Sequence, residues 1–555
     1  MAAHHGSGPF VIAFREGKEL RFIVFDDVGA MSIEDARFDP ETNRIVFKVP
    51  HSAFGLSKPA IPYERFFLLA HPDNIPTADS LSELAAAIAT ASIPDETGDS
   101  DIPAAFTYLG QFVMHDMTYA TGDPAKPKSL RSAALDLDSI FDPPPKDLKI
   151  APGKFMTAPL QLGCTVLGGY RPELPEDLPR DITGIACVGD NRNDDILPLA
   201  QFHTAIMLFH NAVAALEWGG AEPRDATALH VQSVVLHDYL KLLIDPAVYD
   251  DVIANGRAVI APKGDVATPL DTYFIPLEFA FACGRFGHSL IRSNYPGWNR
   301  YNTGSPDAFW NNTASSSEPH PFRGTTPPPK FVTRLPRLWI TDWHALLDFS
   351  DGQFGQGRPG AAKPIMAAPI NTRLAHRLTE IPTPAIPAKI GRAGDIGSSH
   401  NLAERTLLRG NLLAFKSGQE IAQAVLDILK LSKVKRPLFE ILTDKEIRQD
   451  EHPDILAALS KPAAPNGRTL LEATPLWFYV LKEAERRQDG KRLGPLASRI
   501  VMETLHAAIQ AARPSIINDQ QKVDWKPDAR LHGTYTDYFR LADLIRFAGL
   551  ADRPT

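Results

Sequence analysis

The sequence predicts a mainly α-helical protein with long loops and a small β-containing N-terminal extension. Three observations carry this. Helical apolar patterns recur from about residue 80 to the C-terminal region. β-type runs are confined to residues 10–50. The 48 prolines cluster between the helical stretches, which fits helices joined by long ordered loops rather than disorder. There is no internal repeat, GxGxxG, P-loop or HExxH.

The apolar runs 10–14 and 20–25, separated by Glu16-Gly17-Lys18, read as a hairpin or two edge strands. Residues 81–91 are Ala-rich and helical, and 94–101 form an acidic loop. A helix then starts near Pro103, since proline is tolerated in a first turn. It carries Leu109-Gly110-Gln111-Phe112-Val113-Met114-His115-Asp116. Gln111 and His115, four residues apart, share one face. Asp116 is turned roughly 100° away and faces a different neighbour. A histidine beside an amide suits a peroxide or small-anion site; a histidine satisfied within the core is the alternative.

The loop 124–145 contains Leu135-Asp136-Leu137-Asp138-Ser139. In an extended segment the carboxylates of Asp136 and Asp138 face the same way. Paired hard oxygens favour calcium or magnesium, against an ordinary acidic loop. A second polar loop, Gly189-Asp190-Asn191-Arg192-Asn193-Asp194-Asp195-Ile196, opens a helix over 197–217. His203 and His210 share a face of it, as a di-histidine metal or bis-haem site would require. Phe202, Ile206 and Phe209 on the same face favour satisfied core histidines. Helices follow over 230–243 and 274–292. In the second, Gly287 beside His288 would let a flat macrocycle approach, the alternative again being a core histidine. Residues 319–336 and 355–387 read as Pro/Gly-rich surface loops. Helical patterns resume at 401–415, 419–431, 477–487 and 496–511.

A length of 555 residues suggests roughly two to four domains, although compact helical enzymes also reach this size. Hydrophobic and charged contents of 44% and 22% are those of a globular protein. A net charge of −8 without a basic stripe argues against nucleic acid as partner. Cys164, Cys187 and Cys283 form neither a disulfide framework nor a C-x-x-C pair, which fits a reducing compartment. Residues 1–8 are not a Sec signal, and no run of about 18 apolar residues predicts a membrane span. A cytoplasmic address is expected, with leaderless secretion as the alternative.

Taken in order, the segments resemble the animal-type haem peroxidases of the peroxidase–cyclooxygenase superfamily, most closely the bacterial peroxicin-like branch. The resemblance runs from about residue 102 to the helix after Gly494. It rests on Ala104-Ala105-Phe106-Thr107-Tyr108-Leu109-Gly110-Gln111, His115-Asp116, the Leu-Asp-Leu-Asp loop and Arg192 before a long helix. It continues with Arg285-Phe286-Gly287-His288, Leu407-Leu408-Arg409-Gly410, Ser417-Gly418-Gln419, Thr474-Pro475-Leu476-Trp477 and Leu493-Gly494-Pro495.

The resemblance implies haem b and calcium as cofactors. It makes His115 the distal histidine that moves the peroxide proton. Arg192 becomes the distal arginine that stabilises charge as the O–O bond breaks. Gln111 would hold distal water or halide, and His288 would be the proximal iron ligand. Asp116, Ser132, the carbonyl of Ala134, Asp136 and Asp138 match the calcium ligands, an irregular oxygen set that suits calcium better than magnesium. Such an ion would support His115 from behind. Arg285 and Arg409 match arginines near the proximal side and the haem propionates.

Two positions depart from the pattern. Met114 stands where many relatives carry an ester-forming aspartate, so at most one haem ester is expected, from Asp195. Thr406 stands where relatives carry the asparagine that accepts the proximal histidine's Nδ1–H, and its shorter arm puts that bond in doubt. The implied activity is reduction of hydrogen peroxide through a ferryl state, with oxidation of a small donor, a phenol or halide. The alternatives are a haem-binding or scaffold protein with weak turnover and, less favoured, a fatty-acid dioxygenase. Those dioxygenases carry a radical-forming tyrosine where Arg285 stands. Residues 1–95 are expected to form the extension and 96–555 the catalytic domain.

Overall fold

The structure is a computed structural model. It describes the backbone of strands within 10–46, and then residues 61–63, 66–67, 69–92, 98–141, 177–178, 186, 188–216, 222–260, 275–311, 313, 339–349, 363–381, 399–531 and 538–551. Cys164, Cys187, the region 319–336 and residues 1–8 lie outside the described residues.

The N-terminal hairpin is present. Strands Phe10–Glu16 and Glu19–Asp26 pair antiparallel from Phe10↔Phe25 to Glu16↔Glu19. Gly29–Ser32 adds a third strand, and Arg37–Asp39 pairs with Arg44–Val46. From Tyr63 onward the chain contributes to one apolar core that extends to Ala551. Helix Ala78–Ala91 starts at Thr77, whose Oγ1 accepts from the Ser80 N–H, and packs on helices Leu402–Leu412 and Pro453–Ser460. The backbone N–H groups of Phe66 and Phe67 donate to the buried Glu278 carboxylate at 3.1 and 3.0 Å. Residues 63–91 thus share the core of the later helices.

The centre is built from helices Ala105–Met117, Leu197–Ala214, Leu476–Gln488 and Pro495–Ala511. The first half of Leu476–Gln488 is buried on every side, as expected of a helix apolar all round. The Glu483 carboxylate on this helix receives the N–H groups of Leu496 and Ala497, satisfying the otherwise unpaired start of Pro495–Ala511. A Cβ at Gly494 would collide with that carboxylate, so Leu493-Gly494-Pro495 is a close-packing device. Residues 223–243 are helical throughout, with a π-helical turn at Val234–Tyr239.

Two expectations are corrected. The helix expected over 274–292 is broken into Leu277–Phe281, a 3-10 turn Cys283–Phe286 and Gly287–Leu290. The break falls at Ala282, with φ −137° and ψ −77°. Gly284 explains part of it: a Cβ there would lie 2.8 Å from the Phe279 carbonyl and 3.2 Å from the Met114 sulfur. The described part of 355–387 is not a surface loop. Ala367, Ile370 and Leu374 are buried, and Ala367 and Ala104 donate backbone bonds to Ile102 and Ile365 across the start of helix Ala105–Met117. Proline and glycine there mark an irregular path through the core, which composition does not distinguish from an exposed loop.

Candidate functional site

Helix Ala105–Met117 is buried on all sides but one. Gln111, Met114 and His115 are half-buried, whereas Phe112, Val113 and Asp116 have at most 1% of their surface exposed. The spacing places Gln111 and His115 on one face, as the sequence predicts, and Met114 lies beside them. The Met114 sulfur lies against Gly284, so this face meets the broken segment that carries His288. Burial, and then the Arg192 charge, hold His115 down to about 3; burial, and then the Arg285 charge, hold His288 down to about 3. Both imidazoles are therefore neutral at pH 7, as a base and a metal ligand must be.

Arg192 reaches this face from the 3-10 turn Asn191–Asp194. Its Nη2 donates to the His115 carbonyl at 2.8 Å and its guanidinium stacks 4.3 Å from the Tyr119 ring centroid. Nε and Nη2 grip Asp190 at 2.9 and 2.6 Å. Arg131 holds the same carboxylate at 3.0 and 3.2 Å. The two guanidiniums and the buried Asp190 carboxylate leave one net positive charge. Although burial opposes it, this pairing holds Asp190 below the usual carboxylate range. Sequence reasoning missed Asp190, Arg131 and Asn193. The polar run 189–195 signalled the first and last, but nothing local signalled Arg131, which is 59 residues from Asp190.

Asp195 is half-buried beside Arg192. Burial pushes its carboxyl up to about 8, so it is protonated at neutral pH. It does not cap the next helix, whose N-cap is Ile196 with no side-chain bond. His203 and His210 bond Asn193 and Thr227, at 2.9 and 3.0 Å, and so do not pair as ligands.

On the other side, the His288 Nδ1 is buried without a partner among the described residues. Thr406 makes no bond to it; its hydroxyl donates to the Leu402 carbonyl of its own helix at 2.8 Å. A Cβ added at Gly287 would meet nothing within 4 Å among the described residues, which leaves space there beside His288. Arg285 donates through Nε to the Ala280 carbonyl, and Arg409 donates to the Pro124 carbonyl and stacks on Phe281. Neither has a carboxylate partner among the described residues, and burial lowers both. Tyr63 lies against Phe281, its hydroxyl buried near Arg192, Arg285 and Arg409. Two guanidiniums without carboxylates, a neutral imidazole and adjoining open space fit a flat, dianionic, iron-bearing group such as haem.

Behind His115, Asp116, Asp136 and Asp138 bring ligand oxygens within 4.8 Å of one another. Asp116 accepts from Leu137 N–H, Ser139 N–H and Ser139 Oγ, at 3.0, 3.0 and 2.6 Å. Ser132 Oγ lies 3.0 Å from Asp136 Oδ2 and 3.3 Å from the Ala134 carbonyl, so all five residues matched to calcium converge. The loop is not extended as expected: Leu137 has φ +60° and Asp138 opens the short helix Asp138–Phe141. The bend, rather than strand alternation, brings the carboxylates together. Burial and the neighbouring Asp136 push the Asp116 carboxyl above the usual carboxylate range.

The fold is mainly α-helical and is similar to that of a solved peroxidase. Peroxidase A from Dictyostelium discoideum is 14% identical, with a TM-score of 0.52 over 89% of this chain and 94% of that one. Two crystal structures of Oryza sativa fatty acid alpha-dioxygenase, one a tyrosine-to-phenylalanine variant with palmitic acid, are each 12% identical, with TM-scores of 0.49. They cover 89% and 88% of this chain and 80% of theirs. No protein-family profile and no curated sequence matches the chain. No helix among the described residues is long and apolar enough to cross a membrane.

Proposed function

We propose that the chain is a haem peroxidase that reduces hydrogen peroxide and oxidises a small donor, a phenol or halide. One observation carries this reading: the half-buried face of helix Ala105–Met117 with Gln111, Met114 and His115 meets, through Met114 against Gly284, the broken segment that carries His288. In this reading His288 would hold the iron, with Arg285 and Arg409 on the propionates. A haem bound there supplies the redox chemistry. His115 takes the peroxide proton and returns it to the departing oxygen. Arg192 stabilises the charge that develops on that oxygen, and Gln111 orients the incoming peroxide. Asp190 keeps the guanidinium aimed. A calcium ion on Asp116, Asp136, Asp138, Ser132 and the Ala134 carbonyl fixes the helix that presents His115. The dioxygenase reading lacks a tyrosine at position 285.

Haem titration tests the reading. The wild type should take up haem with a sharp Soret band, and His288→Ala should retain little after gel filtration. An unchanged Soret band in His288→Ala would remove the ligand assignment. A wild type that binds no haem would remove the function.

Asp195 is proposed as the single candidate for an ester to a haem methyl. The step would join an Asp195 carboxyl oxygen to a haem methyl carbon, with one methyl hydrogen and the carboxyl proton lost and hydrogen peroxide as the two-electron oxidant. After peroxide treatment, acidified organic solvent should leave haem on the wild type and extract it from Asp195→Ala, as read by intact mass. Complete extraction from the wild type would exclude the ester, and equal retention in both would move it to another residue.

A further inference from the structure

Asn193 lies between two imidazoles. Its Oδ1 is 2.9 Å from His115 Nδ1, and its Nδ2 is 2.9 Å from His203 Nδ1. Asn193 and His203 are both fully buried, at 0% exposure. An amide oxygen only accepts and an amide nitrogen only donates. His115 must therefore carry its proton on Nδ1, and His203 must present a lone pair there and carry its proton on Nε2. We propose that Asn193 is a positioning residue that fixes His115 in the Nδ1–H tautomer, with His203 holding the amide the right way round. The proposal rests on the reading of His115 as the base. It adds what makes that imidazole a base: the Nε2 lone pair is left free on the side away from Asn193.

The local chain supports this role. Arg192 and Asn193 are consecutive and grip the same residue, one through the His115 carbonyl and the other through its ring. The ring can then neither swing nor turn over without breaking a bond to the 3-10 turn. The relay ends at His203, whose Nε2 is buried without a partner among the described residues. A chain with such an end does not conduct protons to solvent; it orients. If the amide were turned over, its nitrogen would donate to His115 Nδ1, the ring proton would sit on Nε2, and the base would be blocked. In the orientation present the amide nitrogen donates to His203 Nδ1 at 2.9 Å, so a turn of the amide requires that bond to break and the His203 proton to move to Nδ1 as well.

Two measurements test it. Neutron diffraction from perdeuterated crystals of the full chain should show deuterium on His115 Nδ1 and His203 Nε2. Deuterium on His115 Nε2 would overturn the proposal, and this readout needs no turnover. With haem loaded, stopped-flow mixing with hydrogen peroxide compares variants at equal haem content. Asn193→Leu should slow the bimolecular step by roughly ten- to hundredfold, while Asn193→Asp, which still accepts from Nδ1–H, should stay within about threefold of wild type. If Asn193→Leu does not fold, His203→Leu, which frees the amide to turn, should be slowed between these limits. Wild-type rates in Asn193→Leu or His203→Leu would reduce Asn193 to a structural bond and overturn the proposal. A wild type inert to peroxide would instead remove the function reading, with the neutron map still deciding the tautomer.

Discussion

Replacing His115 with Ala should slow the bimolecular reaction with hydrogen peroxide by roughly 10² to 10⁴-fold, the usual contribution of a positioned acid–base group. Haem content and the Soret position should not change, since His288, Arg285 and Arg409 remain. The pH dependence is set by the same residue, because His115 is neutral well above its lowered pKa. Burial, and then the Arg192 charge, hold its pKa near 3. The rate should therefore be flat in pH from about 5 to 8, a range well above that value and below peroxide's own ionisation. Arg192→Lys separates the second contribution. Lysine keeps the charge but cannot span the Asp190 carboxylate and the His115 carbonyl together, so it should cost roughly 10²-fold, the loss seen when one charge-stabilising donor is removed. Stopped-flow absorbance reads both. A His115→Ala rate within about threefold of wild type would sink the base assignment.

The sequence made the candidate face with Gln111 and His115 legible because it lies on one regular helix. The 111–115 spacing needs only helical periodicity, and the structure shows Gln111 and His115 on one half-buried face. The N-terminal hairpin and the C-terminal helices were legible for the same reason. The broken segment 277–290 was not. Its apolar residues follow a helical pattern, but Gly284 and the Met114 sulfur that occupies its space set the break through a tertiary contact. The Asp190 pair shows the limit again. Arg192 and Asp190 are close in sequence, whereas Arg131 arrives from the loop after helix Ala105–Met117. The Thr406 departure was legible as a shorter arm. The structure adds that the hydroxyl is already bonded within its helix, which leaves His288 Nδ1 without an acceptor among the described residues.

Removing the proposed calcium should loosen the surroundings of both His115 and Arg192, and the bonds indicate the route. The Asp116 carboxylate ties residues 137–139 to the residue next to His115. Arg131 lies 3.6 Å from Asp138 and donates to its carbonyl, while its other edge holds Asp190 and, through it, Arg192. Both ends of the peroxide site therefore lean on one cluster. Without a cation the three carboxylates, within 4.8 Å of one another, repel inside a buried site where Arg131 offers a single charge. With calcium at a hundredfold excess over its Kd, linkage adds about 2.7 kcal/mol of stability. A chelator should accordingly lower the melting temperature by a few degrees and slow the peroxide reaction. Calcium should restore both; magnesium should do so poorly, because the irregular loop bent at Leu137 does not offer its octahedron. Asp138→Ala should mimic chelation and be insensitive to added calcium. Folded wild-type protein with no calcium by elemental analysis, and a melting temperature indifferent to chelator, would show that the cluster is held by Arg131 and backbone N–H groups alone.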